Sequence, residues 1–486
     1  MSCNPFGSES QACELGNYVS YAVNVSSSDD VIATLKFAQE NNIRIVVRNT
    51  GHDLFGRSTG AGALAIWTHH LKNIEFLDWR DGNYNGPAAK VGAGVEAFEA
   101  VQAAGPRGLA VVTGECSTVG IAGGFAQGGG HSILSSNFGM GADQALEYEV
   151  VTAAGELVTA STTKNSDLYW ALSGGGGGTY GIVISLTIRV HPAGDFGGAT
   201  LSFVPAEDDT TAFREAVSQF HSLLPGMIDH GVSIIYFLSS ASFFIQSLTA
   251  FNSTGDFVER TVLAPFTKVL GNLNIPFSAT YTTLSYLDHF NTYEGPLPYG
   301  FFSVGGFQYG SRLIPRSLLE DDNTSLQKAI TNLTTNGGVL IMGSAASYAA
   351  PSNGVPNAIF PPWRETLIQM QLLTPFNNTN REQNLRNQKI ITNDLNPQLS
   401  NITPQSGAYM NEGDFNEPNW KSTFFGPNYD KLLSIKQKWD PKSIFYINKG
   451  VGSDTWIVAE DGRMCRADSS SPQTSWWRSG ENHGEL

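Results

Sequence analysis

"GECSTVGIAGGFAQGGGHSILSSNFG" occupies positions 114–139 and sets one cysteine, Cys116, ahead of two glycine-rich turns. Gly120, Gly123 and Gly124 allow the backbone to approach a partner closely, and Gly128–Gly130 do so again before His131 and Ser132. No cysteine lies nearby in sequence. Such a thiol is either a small buried apolar group or a nucleophile whose partner is not another cysteine. A second loop, "RNTGHDLFGRSTGAGA" at 48–63, follows a short apolar run. Backbone N–H groups around Thr50–Gly51 and Ser58–Gly60 suit a pyrophosphate, although the loop is neither GxGxxG nor a lysine-bearing P-loop. His52, between Gly51 and Asp53, reads as a loop histidine held by its neighbouring carboxylate or as a functional group. The run Gly174–Gly178 reads as a weak phosphate signal or as a flexible turn.

Composition narrows the function. The chain has 486 residues, so more than one domain is expected. Its net charge of −15 argues against nucleic acid or an anionic membrane as partner. No apolar run reaches the ~18 residues of a membrane span. These features fit a soluble enzyme acting on a small or neutral substrate. Cys3 and Cys13 enclose nine residues and read as a disulfide or as two free thiols, while Cys465 sits in a polar tail and is expected to be free. The opening "MSCNPFGSES" has no basic or apolar leader region, which leaves an intracellular protein or one whose leader has been removed. Sequons at Asn24, Asn252, Asn323, Asn332, Asn377 and Asn401 are as many as such an Asn/Ser/Thr-rich chain produces by chance.

Residues 26–50 read as a helix capped by Ser28, with Val31, Leu35 and Ala38 on one face, followed by a strand. "VEAFEAVQAAG" reads as a helix closed by Gly105, and "LAVVTG" as a strand leading into the Cys116 loop. "YEVVTAAGELVTAS" reads as a hairpin, "NSDLYWALSGG" as a short capped helix, and "GIVISLTIRVHP" as a strand ended by Pro192. Beyond residue 196 glycines thin out and aromatics multiply. "LSFVPAE" and "HGVSIIYFLSS" read as strands, "REAVSQFHSLL" and "SLLEDDNTSLQKAITNL" as covering helices. "YDKLLSIKQKWDP" is again helical, and "SIFYINKGVG" a strand-like return.

Taken together, "RNTGHD", "GRSTGAGAL", "CSTVGIAGGFAQGGGHS", "SDLYWALSGGGGGTYGIV", "YMNEGD" and "WDPKSIFYINKG" resemble the berberine-bridge-enzyme-like branch of the FAD-linked oxidases. The resemblance spans nearly the whole chain. It implies an α+β fold of two domains, the vanillyl-alcohol-oxidase or PCMH-type FAD-binding fold. An FAD-binding domain over 1–195 and 426–486 would carry an inserted substrate domain over 196–425, an antiparallel sheet covered by helices.

The resemblance also implies FAD held covalently through His52 and Cys116. Arg48, Asn49, Thr50, Gly51, Asp53 and Ser58 would meet its pyrophosphate or ribityl chain. Thr118, Val119, Gly120, Gly123 and Gly124 would cross its ring and phosphates, with Asn137 and Gly139 continuing that wall. Ile182 and Val183 would lie at the adenine, and Tyr446 and Asn448 would return from the tail. Tyr409, with Asn411, is the implied general base. His131 is its rival or helper, and Tyr309 and Arg312 are candidates for the substrate wall. The catalytic glutamate of the plant members has no assigned position here. The implied activity is an oxidase of alcohols, sugar hydroxyls or secondary metabolites that passes electrons to dioxygen. An oxidative cyclase and a binding protein with a vestigial flavin are the alternatives. A secreted monomer is expected, with the cytoplasm as the other location.

Overall fold

The computed structural model describes residues 6–467 apart from 11, 207–209, 302–304, 353 and 460–462. The Cys3–Cys13 pairing therefore lies outside the described residues, whereas Cys116 and Cys465 carry free thiols.

The N-terminal part is built on two sheets. Tyr21–Asn24, Leu64–Trp67 and Ile45–Arg48 form a three-stranded parallel sheet, in that order. The helix Ser28–Glu40 covers it with Val31, Leu35 and Ala38 buried, as the spacing requires. Its cap is Ser27 rather than Ser28, since Ser27 and Asp30 complete a reciprocal capping box. A five-stranded antiparallel sheet runs Ile74–Arg80, Asn85–Gly92, Ile182–Arg189, Ala145–Val151, Leu157–Ser161. The helix Ala97–Ala104 does not stop at Gly105, which keeps helical angles. It tightens into a further turn that ends at Gly108, whose φ is +64°. In "LAVVTG" only Leu109–Ala110 pair as strand.

From Phe196 the chain builds a seven-stranded antiparallel sheet in the order Phe277–Leu284, Phe196–Phe203, Phe243–Ala250, Val232–Leu238, Leu340–Ala345, Thr366–Pro375, Phe307–Pro315. Alternation sorts its two faces. Ile234, Tyr236, Ile341, Ile368, Met370 and Leu372 join one core with the helices Thr211–Ile228, Ala264–Asn272 and Asn323–Thr335. Their neighbours Met342, Gln371, Leu373 and Tyr309 face the N-terminal part. "SLLEDDNTSLQKAITNL" is two helices, because Asp322 leaves helical angles and caps the second one through Ser325 N–H.

The return is tighter than a strand. Ala408, Tyr409, Met410, Trp420 and Phe424 already pack in the same core as Phe125, Tyr169 and Leu172 of the N-terminal part. The helix Tyr429–Trp439 follows, and "SIFYINKGVG" pairs only through a parallel bridge between Ile45 and Phe445. Lys436, almost fully buried, fixes this segment: its ammonium donates to Asp440, Thr179 O and Phe445 O. Among the described residues no helix is long and apolar enough to cross a membrane.

Candidate active site

Between the two parts lies a cavity of about 630 Å³, walled on one side by both glycine-rich loops and on the other by the face of the large sheet that carries Met342, Gln371 and Leu373. Asn49, Thr50, Gly51, His52, Asp53, Ser58, Cys116, Thr118, Val119, Gly120, Gly123, Gly124 and Val183 all line it, as do Tyr409, Asn411 and His131. The structure thus brings most of the expected residues together.

The first loop is fixed by its own side chains. Asp53 accepts from the Phe55 and Arg57 amides, which rounds off the turn. The buried Arg57 guanidinium then reaches across to donate to Met410 O and Asn448 O, each at 2.9 Å. Arg57 is the staple between the first loop and the C-terminal return. In the sequence it is one arginine among others. Gly51 has φ +88°, and a Cβ there would lie 3.1 Å from the Arg48 guanidinium packed behind the turn.

The second loop presses on the first. A Cβ on Gly120 would fall 2.0 Å from Asn49 Oδ1, so only glycine permits this approach. The short helix Ile121–Phe125 breaks at Gly123, whose ψ of −139° is not helical. Gly124 has open space where a side chain would project. Asn411 Nδ2 donates to Gly124 O at 2.8 Å. His52 Nε2 and Thr118 Oγ1 are 2.8 Å apart, a direct bond between the histidine of one loop and the cysteine loop. The run Gly174–Gly178 has a definite place: Gly177 and Gly178 join the wall, with Gly177 packed on Gly124.

Six expected contacts lie outside the wall. Ile182 points into the core under the parallel sheet while its neighbour Val183 faces the cavity, the strand period deciding between them. Asn137 is exposed on the short helix Ser135–Phe138, and Gly139 packs on Asp143 and Pro351. Arg48 supports Gly51 from behind. Tyr446 lies under the Arg44 guanidinium at 5.5 Å, and Asn448 serves Arg57 through its carbonyl. Of the two substrate-wall candidates, Tyr309 lines the cavity. Arg312 lies on the opposite face of the same strand, held by Thr403 and by Ser406 O.

One end of the cavity holds a cluster that the sequence motifs do not spell out. His131 is buried between two carboxylates. Nδ1 lies 3.1 Å from Glu115 Oε1, and Nε2 lies 3.1 Å from Glu412 Oε2. Both partners accept, so both ring nitrogens carry protons. Burial alone would lower this histidine's pKa, but Glu412 and Glu115 outweigh burial and raise it well above the ordinary value. Gln371 Nε2 donates to Glu412 at 2.8 Å, and Glu412 lines the cavity. Tyr409 Oη accepts from Asn411 Nδ2 at 2.9 Å. Burial and the neighbouring Glu412 carboxylate hold its phenol protonated far above the usual range. Tyr409 lines the cavity, where a neutral phenol can donate its proton in a hydrogen bond. Glu412 adjoins the "YMN" triplet and Glu115 adjoins Cys116. Adjacency was the only sequence signal for either.

Burial holds both anchoring candidates uncharged. Burial lowers the His52 pKa, against smaller opposing effects of Glu96 and Thr118, which favours the neutral ring. Burial, Glu115, Glu412 and Glu294 push the Cys116 thiol up to about 12. It therefore stays protonated until a base takes its proton, and cavity carboxylates are close.

Residues 19–161 match the model of the FAD binding domain, and residues 408–452 match "Berberine and berberine like". An FAD-linked oxidoreductase, ZEB1, of Gibberella zeae is 47% identical over 96% of this chain and 82% of that protein. The chain belongs to the berberine-bridge-enzyme-like FAD-linked oxidoreductases. A VAO-type flavoprotein of Myceliophthora thermophila superposes with a TM-score of 0.91 at 43% identity, over 96% of this chain and 85% of that one. A bifunctional decalin synthase of Penicillium decumbens is 40% identical over 96% of this chain and 82% of its own length. A glucooligosaccharide oxidase of Acremonium strictum, 18% identical with TM-score 0.71 over 90% of this chain and 91% of that one, shares the fold.

The wall fits the family's cofactor. Asn49 Oδ1 and Gln127 Oε1 line the cavity as buried acceptors without partners. Gly123, Gly124, Gly177 and Gly178 line the cavity, and Gly124 has open space where a side chain would project, which leaves the backbone bare to a flat ring or a phosphate.

Proposed function

We propose that this FAD-linked oxidoreductase is an oxidase whose flavin is attached at two points, through His52 and Cys116. One observation carries the reading: both residues line a single cavity, and His52 is hydrogen-bonded to Thr118, two residues from Cys116. Bound there, FAD supplies a two-electron acceptor that dioxygen regenerates with release of hydrogen peroxide.

The chain's own groups divide the remaining work. The Tyr409 hydroxyl donates to the substrate oxygen and orients it. Glu412 accepts the substrate proton. His131, fixed on its far side by Glu115, and Gln371 hold the Glu412 carboxylate in place. Asn411 ties Tyr409 to Gly124 O and so to the second loop. This revises the reading of Tyr409 as base, because its surroundings favour the neutral phenol and a carboxylate stands beside it. Tyr309, Met342, Leu373 and Phe307 give the substrate side an apolar lining, which suits a secondary-metabolite alcohol.

The name of the decalin synthase relative favours a second reading, oxidation followed by ring closure in the same cavity. The deciding experiment is a metabolite panel scored for peroxide and for product structure. Peroxide with an oxidised, uncyclised product supports the oxidase, a rearranged ring system supports the cyclase, and a panel with no peroxide counts against both.

A further inference from the structure

Next to the flavin cavity is a second one, of about 330 Å³. Leu54, Phe307 and Tyr309 line both, so the two adjoin. The strand Phe307–Pro315 is an edge of the seven-stranded sheet, and this outer cavity wraps over that edge to the helix Arg381–Ile390. Its chemistry is mixed. Leu54, Phe307 and Phe376 are 38%, 36% and 37% exposed, unusually bare for large apolar side chains grouped together. Gln308 is oriented by donating Nε2 to Asn384 O and Gln388 Oε1, which leaves its buried Oε1 without a partner. Asn384 and Gln388 are occupied by bonds to Asn377 and Asp414. Arg381 stands at the rim with no ion pair among the described residues.

We propose that this outer cavity is the subsite for the far end of the substrate: a flat apolar group bearing a hydrogen-bond donor and an anion, as in a phenolic carboxylic acid of aryl or fused-ring size. The aromatic walls take the ring, Gln308 Oε1 accepts from a hydroxyl or N–H, and Arg381 meets the carboxylate. The inference rests on the oxidase reading, in that the reacting end then lies by Tyr409 and Glu412. A small alcohol fills neither the apolar walls nor the two polar groups.

Anilinonaphthalene sulfonate carries a flat ring, an N–H and an anion in one molecule, and it probes the subsite without any oxidation. Titrated into the flavin-loaded protein, it is expected to bind saturably. Arg381→Ala should weaken binding by up to about fivefold, the range of an exposed ion pair. Leu385→Trp, which fills the cavity, should abolish it. The neutral phenylnaphthylamine should be insensitive to Arg381→Ala. An unchanged flavin absorbance in each variant shows that the fold persists. Equal affinity of the sulfonate probe for wild type, Arg381→Ala and Leu385→Trp, or no saturable binding at all, overturns the subsite. Neither result bears on peroxide formation, so the oxidase reading stands or falls separately.

Discussion

Glu412 and Tyr409 both line the cavity, and their surroundings suit them to the different roles proposed for them. Glu412→Gln keeps the shape and removes the proposed proton acceptor. Flavin reduction by substrate should slow by about 10²–10⁴-fold, while reoxidation by dioxygen stays near wild type in the same stopped-flow experiment. Tyr409→Phe removes one donor and should slow reduction by only about tenfold. A Tyr409→Phe effect as large as that of Glu412→Gln would return the base to the tyrosine. His131 supplies a pH signature. Its folded pKa is raised despite burial, by Glu412 and Glu115, so its contribution to stability is complete below the unfolded value of about 6.5. That contribution fades as pH rises through the raised folded value. Thermal midpoints of wild type should therefore fall toward alkaline pH more steeply than those of His131→Gln. Parallel curves would show that the histidine is not charged between its two carboxylates.

At the scale of elements, the glycine-rich loops were legible because their chemistry is local. Gly51 needs its positive φ, and Gly120 needs the absence of a Cβ, within a few residues of the groups they serve. The amphipathic helix Ser28–Glu40 and the hairpin around Gly155 were legible for the same reason. What escaped depends on residues brought from far along the chain. Arg57 meets Met410 and Asn448, and His131 meets Glu412, across separations that no spacing rule encodes. The residues that fall outside the cavity wall do so by strand parity or by loop path: Ile182 is one residue from Val183, which faces the cavity, and Arg312 lies on the strand face opposite Tyr309. Gly120→Ala tests the loop contact directly. Its Cβ would lie 2.0 Å from Asn49 Oδ1, which must push the two loops apart. The variant should fold, with a normal far-ultraviolet spectrum, but carry much less flavin by visible absorbance. Full flavin loading would show that the loops do not depend on that approach.

For the whole molecule, the C-terminal return closes the site, and the buried Lys436 holds it in place. Asp440→Ala leaves that ammonium without its counter-charge, and breaking a buried pair costs about 3–5 kcal/mol. The thermal midpoint should drop well below wild type, and flavin loading should fall with it, because Met410 and Asn448 lose their fixed relation to Arg57. A midpoint unchanged from wild type would remove this anchor. The joining of the two loops through one cofactor is settled by mass spectrometry of the acid-denatured, protease-digested protein. The peptide containing His52 and the peptide containing Cys116 should appear as one species, bridged by a single FAD. Recovery of both peptides unmodified, with the flavin free in the supernatant, would contradict it.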